Sequence, residues 1–151
     1  MMPNHPVPTY EDATLVLKLY ELRREEKLRA ARDWFGGKFY PQTVEDVTAL
    51  TGTDNLYYRM VTGYWEMAAS FVVRGILNTD LFLDSGGEMI FVWAKLGDLV
   101  PGLRRSMGTE NLLKNVESVI ESSPRARERV GVTRRRIAQM RERALAAAAK
   151  A

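Results

Sequence analysis

Between Asn55 and Gly75 the chain reads NLYYRMVTGYWEMAASFVVRG, and its apolar residues recur around most of a helix circumference. At about 3.6 residues per turn, Leu56, Met60, Tyr64, Met67 and Phe71 form one stripe, and Tyr57, Val61, Trp65, Ala68 and Val72 form the stripe beside it. A helix apolar on two sides must be gripped on two flanks. Asn55, Arg59, Thr62 and Glu66 are left for a narrow wet strip, and Gly75 suits the left-handed end of a helix. The expected fold is therefore all-α: a compact bundle of about five or six helices around a central helix 55–74, with a basic C-terminal helix.

The chain in order supports that class. Residues 1–8 hold three prolines and His5, and are expected to be an irregular lead-in. Thr9 with Asp12 has the spacing of a capping box, predicting a helix over 10–34. The second half of that helix is charged, with Glu21–Arg24 and Glu25–Arg29 at ion-pair spacing. A thin seam of Leu22, Leu28, Ala31 and Phe35 could pack on the body or on a second copy.

Gly36 and Gly37 end this helix, and Thr43 caps a short one over 44–50. After the central helix, Asn78 and Thr79 open a brief helical turn. Helices are then expected over 88–99, ended by Pro101 and Gly102, and over 110–121, capped by Thr109. A last helix is capped by Thr133. Alternating runs are too short for strands.

Charge divides the chain. From Pro124 onward nine basic residues face two acidic ones, a net +7 that leaves −4 on the preceding 123 residues. The composition shift at Ser122–Pro124 separates a helical domain, 9–121, from a basic arm, 122–151. Arg125, Arg127, Arg129, Arg134, Arg135, Arg136, Arg141 and Arg143 are the candidate contacts to nucleic-acid phosphates or to an acidic partner, which includes the acidic body itself. The arm lacks the interleaved aromatics of a single-strand stacking platform.

Catalytic and metal chemistry find little purchase. With one histidine, His5, and no cysteine, the chain lacks a Glu-x-x-His metal set, a Ser-His-Asp triad and any thiol chemistry. Gly36-Gly37-Lys38 lacks the spacing and hydroxyl of a phosphate loop, and Asp84-Ser85-Gly86-Gly87-Glu88 lacks the ligands of a calcium loop. Glu66 near Arg59 reads as an ion pair rather than an acid–base group. Residues 44–61 have the length of a helix-turn-helix, but Thr48, Thr51 and Thr53 stand where apolar packing is needed.

The segment YYRMVTGYWEMAASFVVRGILNTDLFLDSGGEMIFVWAKLGDLVPGLRR, followed by NLLKNVESVIE, resembles a family of small bacterial helical proteins described only as a domain of unknown function. The likeness covers about residues 55–121: an aromatic-rich helix, a G-I-L-x-x-x-L-F connector, a Trp-containing helix and a closing helix. It implies the helical fold and carries over no catalytic or binding residue. The sequence thus leads to a non-enzymatic cytoplasmic interaction or scaffold module without cofactor or metal, with a protein partner or self-association through helix 10–34. The alternative is a nucleic-acid-associated protein using the arm. No segment approaches the roughly 20 apolar residues that membrane insertion needs.

Overall fold

The computed structural model describes residues 6–151; His5 and most of the lead-in lie outside them. Nine helices and no strand are found among the described residues. They are α1 (Tyr10–Leu22), α2 (Glu26–Gly37), α3 (Val44–Thr48), α4 (Gly52–Val73), α5 (Thr79–Ser85), α6 (Gly87–Leu96), α7 (Val100–Met107), α8 (Lys114–Ser122) and α9 (Pro124–Ala149). The all-α bundle is as expected. The helix number exceeds five or six because the helix expected over 10–34 is broken into α1 and α2, and because residues 100–107, read as a helix stop, form α7.

The central helix is α4, with α2 on one flank and α8 on the other, while α9 lies across α6 and α8. Tyr58, Val61, Thr62, Tyr64, Trp65, Ala68, Ala69 and Val72 are its buried residues. Trp65 stands edge-on to Tyr64 at 4.9 Å and to Phe82 at 6.3 Å. The expected stripe from Leu56 to Phe71 is only partly covered, with Leu56 and Met67 exposed. The expected wet strip is dry at Thr62, whose hydroxyl donates back to the Tyr58 carbonyl at 2.8 Å. A hydroxyl satisfied inside its own helix can be buried at little cost, so the buried arc is rotated toward Thr62.

The helix expected over 10–34 breaks at Arg23–Glu25. Glu25 takes the N-cap of α2, accepting from the amides of Lys27 at 3.1 Å and Leu28 at 2.8 Å, which lowers its pKa. It is therefore a cap rather than the partner of Arg29. The seam residues Leu28, Ala31 and Phe35 are buried against the body, with α2 packed along α4. Trp34 stacks on Phe39 at 4.7 Å, so the loop after α2 is anchored by aromatic contact.

Pro101 and Gly102 do not end a helix; they lie in the first turn of α7, where proline costs no hydrogen bond. Gly102 is needed there because a Cβ would meet Val44 Cγ2 of α3 at 2.6 Å. Gly108, at φ +67°, ends α7. Thr109 does not cap α8 directly: an irregular stretch intervenes, and the buried Leu113 takes φ 52° before the helix starts at Lys114. Thr133 is likewise interior. Ser123 caps α9, accepting from the Ala126 amide at 3.1 Å, and Pro124 occupies the first turn. Ala126 and Val130 belong to the core, so the first half of the arginine-rich segment packs on the body.

Candidate functional site

The arm's arginines do not form one surface. Arg125 pairs with Asp84 at 2.6 Å and Arg134 with Asp98 at 3.1 Å. Arg129 donates to the Leu83 carbonyl at 2.7 Å, and Arg127 donates to the Glu121 carbonyl. These four contacts fasten α9 to the body. Arg135, Arg136 and Arg143 are exposed and make no ion pair among the described residues, while Arg141 lies against Gln42 beside the loop that follows α2. At about 100° per residue, Arg135, Arg143 and Arg136 fall within about 100° of one another, so the unpaired charge lies along one side of the distal half of α9.

Glu66 has a different part from the one its sequence neighbours imply. Oε1 accepts from the Asn115 amide at 2.7 Å and from Asn115 Nδ2 at 2.8 Å, and Oε2 accepts from the Val116 amide at 3.1 Å. A carboxylate from α4 therefore closes the amide end of α8, which lacks a side-chain cap of its own. Asp12 does comparable work between α1 and α5. It closes the capping box with the Thr9 amide at 2.7 Å and, 66 residues away, accepts from the Asn78 amide at 2.8 Å.

Two polar centres escape sequence reading. Arg32 grips Glu88 with contacts of 2.8–3.0 Å and also donates to the Arg23 carbonyl at 3.2 Å, holding the break between α1 and α2. Glu88 further accepts from Trp65 Nε1 at 3.4 Å. Tyr64 reaches across to the Leu19 carbonyl, and burial pushes its phenol up to about 12.

Lys95 is the most unusual group. It is buried without a carboxylate partner in any ion pair, and Nζ donates to the Phe35 carbonyl at 2.5 Å and to the Phe39 carbonyl. The rings of Tyr40, Phe91 and Phe35 surround Nζ at 4.0, 4.7 and 5.2 Å. Burial lowers its pKa to about 7. Such an amine has a nucleophile's protonation state, but both carbonyls occupy it and the aromatic rings wall it off. Its position at the end of α2 makes it a cap for orphan carbonyls.

The least-partnered apolar surface lies on α1. Tyr10, Leu17 and Tyr20 are 92%, 70% and 51% exposed. With the exposed Ala13 they recur at helical spacing on one face, opposite the buried Asp12 and Leu19. Lys18 and Glu21 pair at 3.4 Å along the edge of that face, and Arg24 follows it. Of the seam expected to self-associate, Leu28, Ala31 and Phe35 are consumed within the bundle and Leu22 stays exposed; α1 offers another face.

Among the described residues, no group of three or more His, Asp or Glu side chains could hold a metal ion, and no helix is long and apolar enough to cross a membrane. A family model described as Domain of unknown function (DUF4760) matches residues 8–123, which takes in α1 to α8 and stops at the α9 cap. Comparisons with curated proteins and with solved structures return no match.

Proposed function

Because the chain belongs to the DUF4760 family, whose description names no activity, we propose its function from its surface: a non-enzymatic interaction module that pairs with a second copy through the outer face of α1. The observation that carries this reading is the exposed stripe Tyr10, Ala13, Leu17 and Tyr20 on a helix whose opposite face is already packed. An antiparallel pairing about Leu17 sets each Leu17 against its copy and each Tyr10 against Arg24, an aromatic face against a cation. The stripe spans only about 15 Å of helix, so the contact is small and exchange is expected on the order of micromolar protein. The buried Lys95 and Tyr64 and the half-buried Glu66 favour a non-enzymatic module, since each is committed to holding one element on another.

The chain's lack of cysteine gives a clean test. Under mild oxidation, Leu17→Cys is expected to give a disulfide-linked dimer much faster than Met107→Cys, whose side chain is comparably exposed on α7. Equal rates for the two variants would reduce the cross-link to random collision. Binding of nucleic acid through the distal half of α9 is the second reading, supported by the exposed Arg135, Arg136 and Arg143.

A further inference from the structure

Between the loop after α2 and the distal half of α9 runs a groove of about 440 Å³, lined by Lys38, Tyr40 and Pro41 on the loop side and by Arg141, Ala144 and Leu145 on the helix side. We propose that this groove binds a small amphiphilic anion: an aromatic or aliphatic body carrying one carboxylate, sulfonate or phosphate. The surface is separate from the outer face of α1.

Charge selects the anion. The one acid in the lining, Asp46, is spent on the loop itself: Oδ2 accepts from the amides of Gln42 at 2.8 Å and Thr43 at 3.0 Å, which holds its carboxyl below the usual carboxylate range. Lys38 and Arg141 make no ion pair among the described residues, so with the Asp46 carboxylate held by the loop amides the lining keeps a net positive charge. Arg141 turns its guanidinium onto the neutral side-chain amide of Gln42, an uncharged partner that an oxyanion would displace.

The walls select the body. Tyr40, Pro41 and Ala144 supply apolar surface, and Leu145 is 63% exposed with nothing of this chain covering it. The loop side is also held in place before any ligand arrives. Trp34 stacks on Phe39, Tyr40 Oη donates to the Gly36 carbonyl at 3.1 Å, and Lys95 holds the Phe39 carbonyl from behind. A preformed apolar groove with few polar groups, of a volume that takes a molecule of drug size, is the usual form of a small-molecule site.

The probe is 1-anilinonaphthalene-8-sulfonate, titrated by fluorescence into the full chain, with circular dichroism confirming the fold of every variant. Saturable binding at one site is expected, weakened about tenfold or more by Arg141→Leu and separately by Leu145→Asp, and unchanged by Arg143→Ala. N-phenyl-1-naphthylamine, the same body without its sulfonate, is expected to bind at least about tenfold more weakly. No saturable binding would overturn the proposal. So would equal binding by the Arg141 and Leu145 variants, which places the probe elsewhere, or equal binding of the uncharged analogue, which removes the anion requirement.

Discussion

Replacing Lys95 by methionine is expected to lower the stability of the folded chain by about 2–4 kcal/mol at pH 9, because the carbonyls of Phe35 and Phe39 lose their donor in a buried place. Methionine keeps the side chain's length, so packing loss is the smaller part. The deficit should also depend on pH. Lys95 has a folded pKa of about 7, below its ordinary value near 10.5, so the unfolded chain holds the extra proton between those values. Stability contributed by the neutral amine is fully present above the unfolded pKa and is lost as pH falls toward 7. The gap between wild type and Lys95→Met should therefore narrow as pH falls from 9.5 to 6.5 in urea titrations. Tyr58 and Tyr64, each pushed up to about 12 by burial, act in the opposite sense above about pH 10, but they are common to both proteins and cancel in the difference. Parallel profiles would mean that the three rings hold Lys95 as an ammonium throughout.

Asp12→Ala is the second large effect, expected to cost about 2–4 kcal/mol. Its carboxylate satisfies the Thr9 amide and hydroxyl at one end of α1 and the Asn78 amide at the start of α5. Removing it takes an acceptor from the buried Asn78 amide and opens the capping box at the exposed Thr9. Asp12→Asn should cost less than alanine, since one oxygen remains for Asn78 while an amide donor now faces Thr9. In thermal melts the alanine variant is expected to fall by about 5–15 °C. A fall no larger than that of a surface cap would show that the bond to Asn78 adds nothing.

These two residues mark where the sequence is informative and where it stops. The capping box of Thr9 and Asp12 is written in local spacing, and the box is formed. That the same carboxylate reaches Asn78 depends on a contact 66 residues away, which no window of the sequence contains. The all-α class and the apolar stripes of α6 and α8 follow from periodicity, whereas on α4 periodicity places Leu56 and Met67 inside and Thr62 outside, against the packing. The break at Arg23–Glu25 does not, because every residue there is an adequate helix former; Arg32, itself held by Glu88 of α6, donates to the Arg23 carbonyl across it.

The candidate surfaces divide in the same way. Lys95 lies among the apolar residues of α6 with nothing nearby to suggest burial, and its carbonyl partners come from 56 and 60 residues earlier. The arginines of the last segment are conspicuous in composition, but composition does not say which of them α9 turns toward Asp84, Asp98, Leu83 and Glu121. Proline at 124 looks like a boundary in a linear reading, whereas at the first turn of a helix it is a preferred residue. On α1, the exposed apolar face hides behind a pattern that looks uniformly amphipathic until the packed side is known.

Sedimentation equilibrium over roughly micromolar to hundreds of micromolar protein tests the pairing most directly. The wild type is expected to shift with concentration from 17.2 kDa toward twice that mass. Leu17→Glu, which places two carboxylates against each other at the centre of the proposed contact, is expected to stay at 17.2 kDa throughout while keeping the wild-type helix signal. A wild type that remains monomeric over the whole range, or a Leu17→Glu variant that associates equally well, would contradict the account.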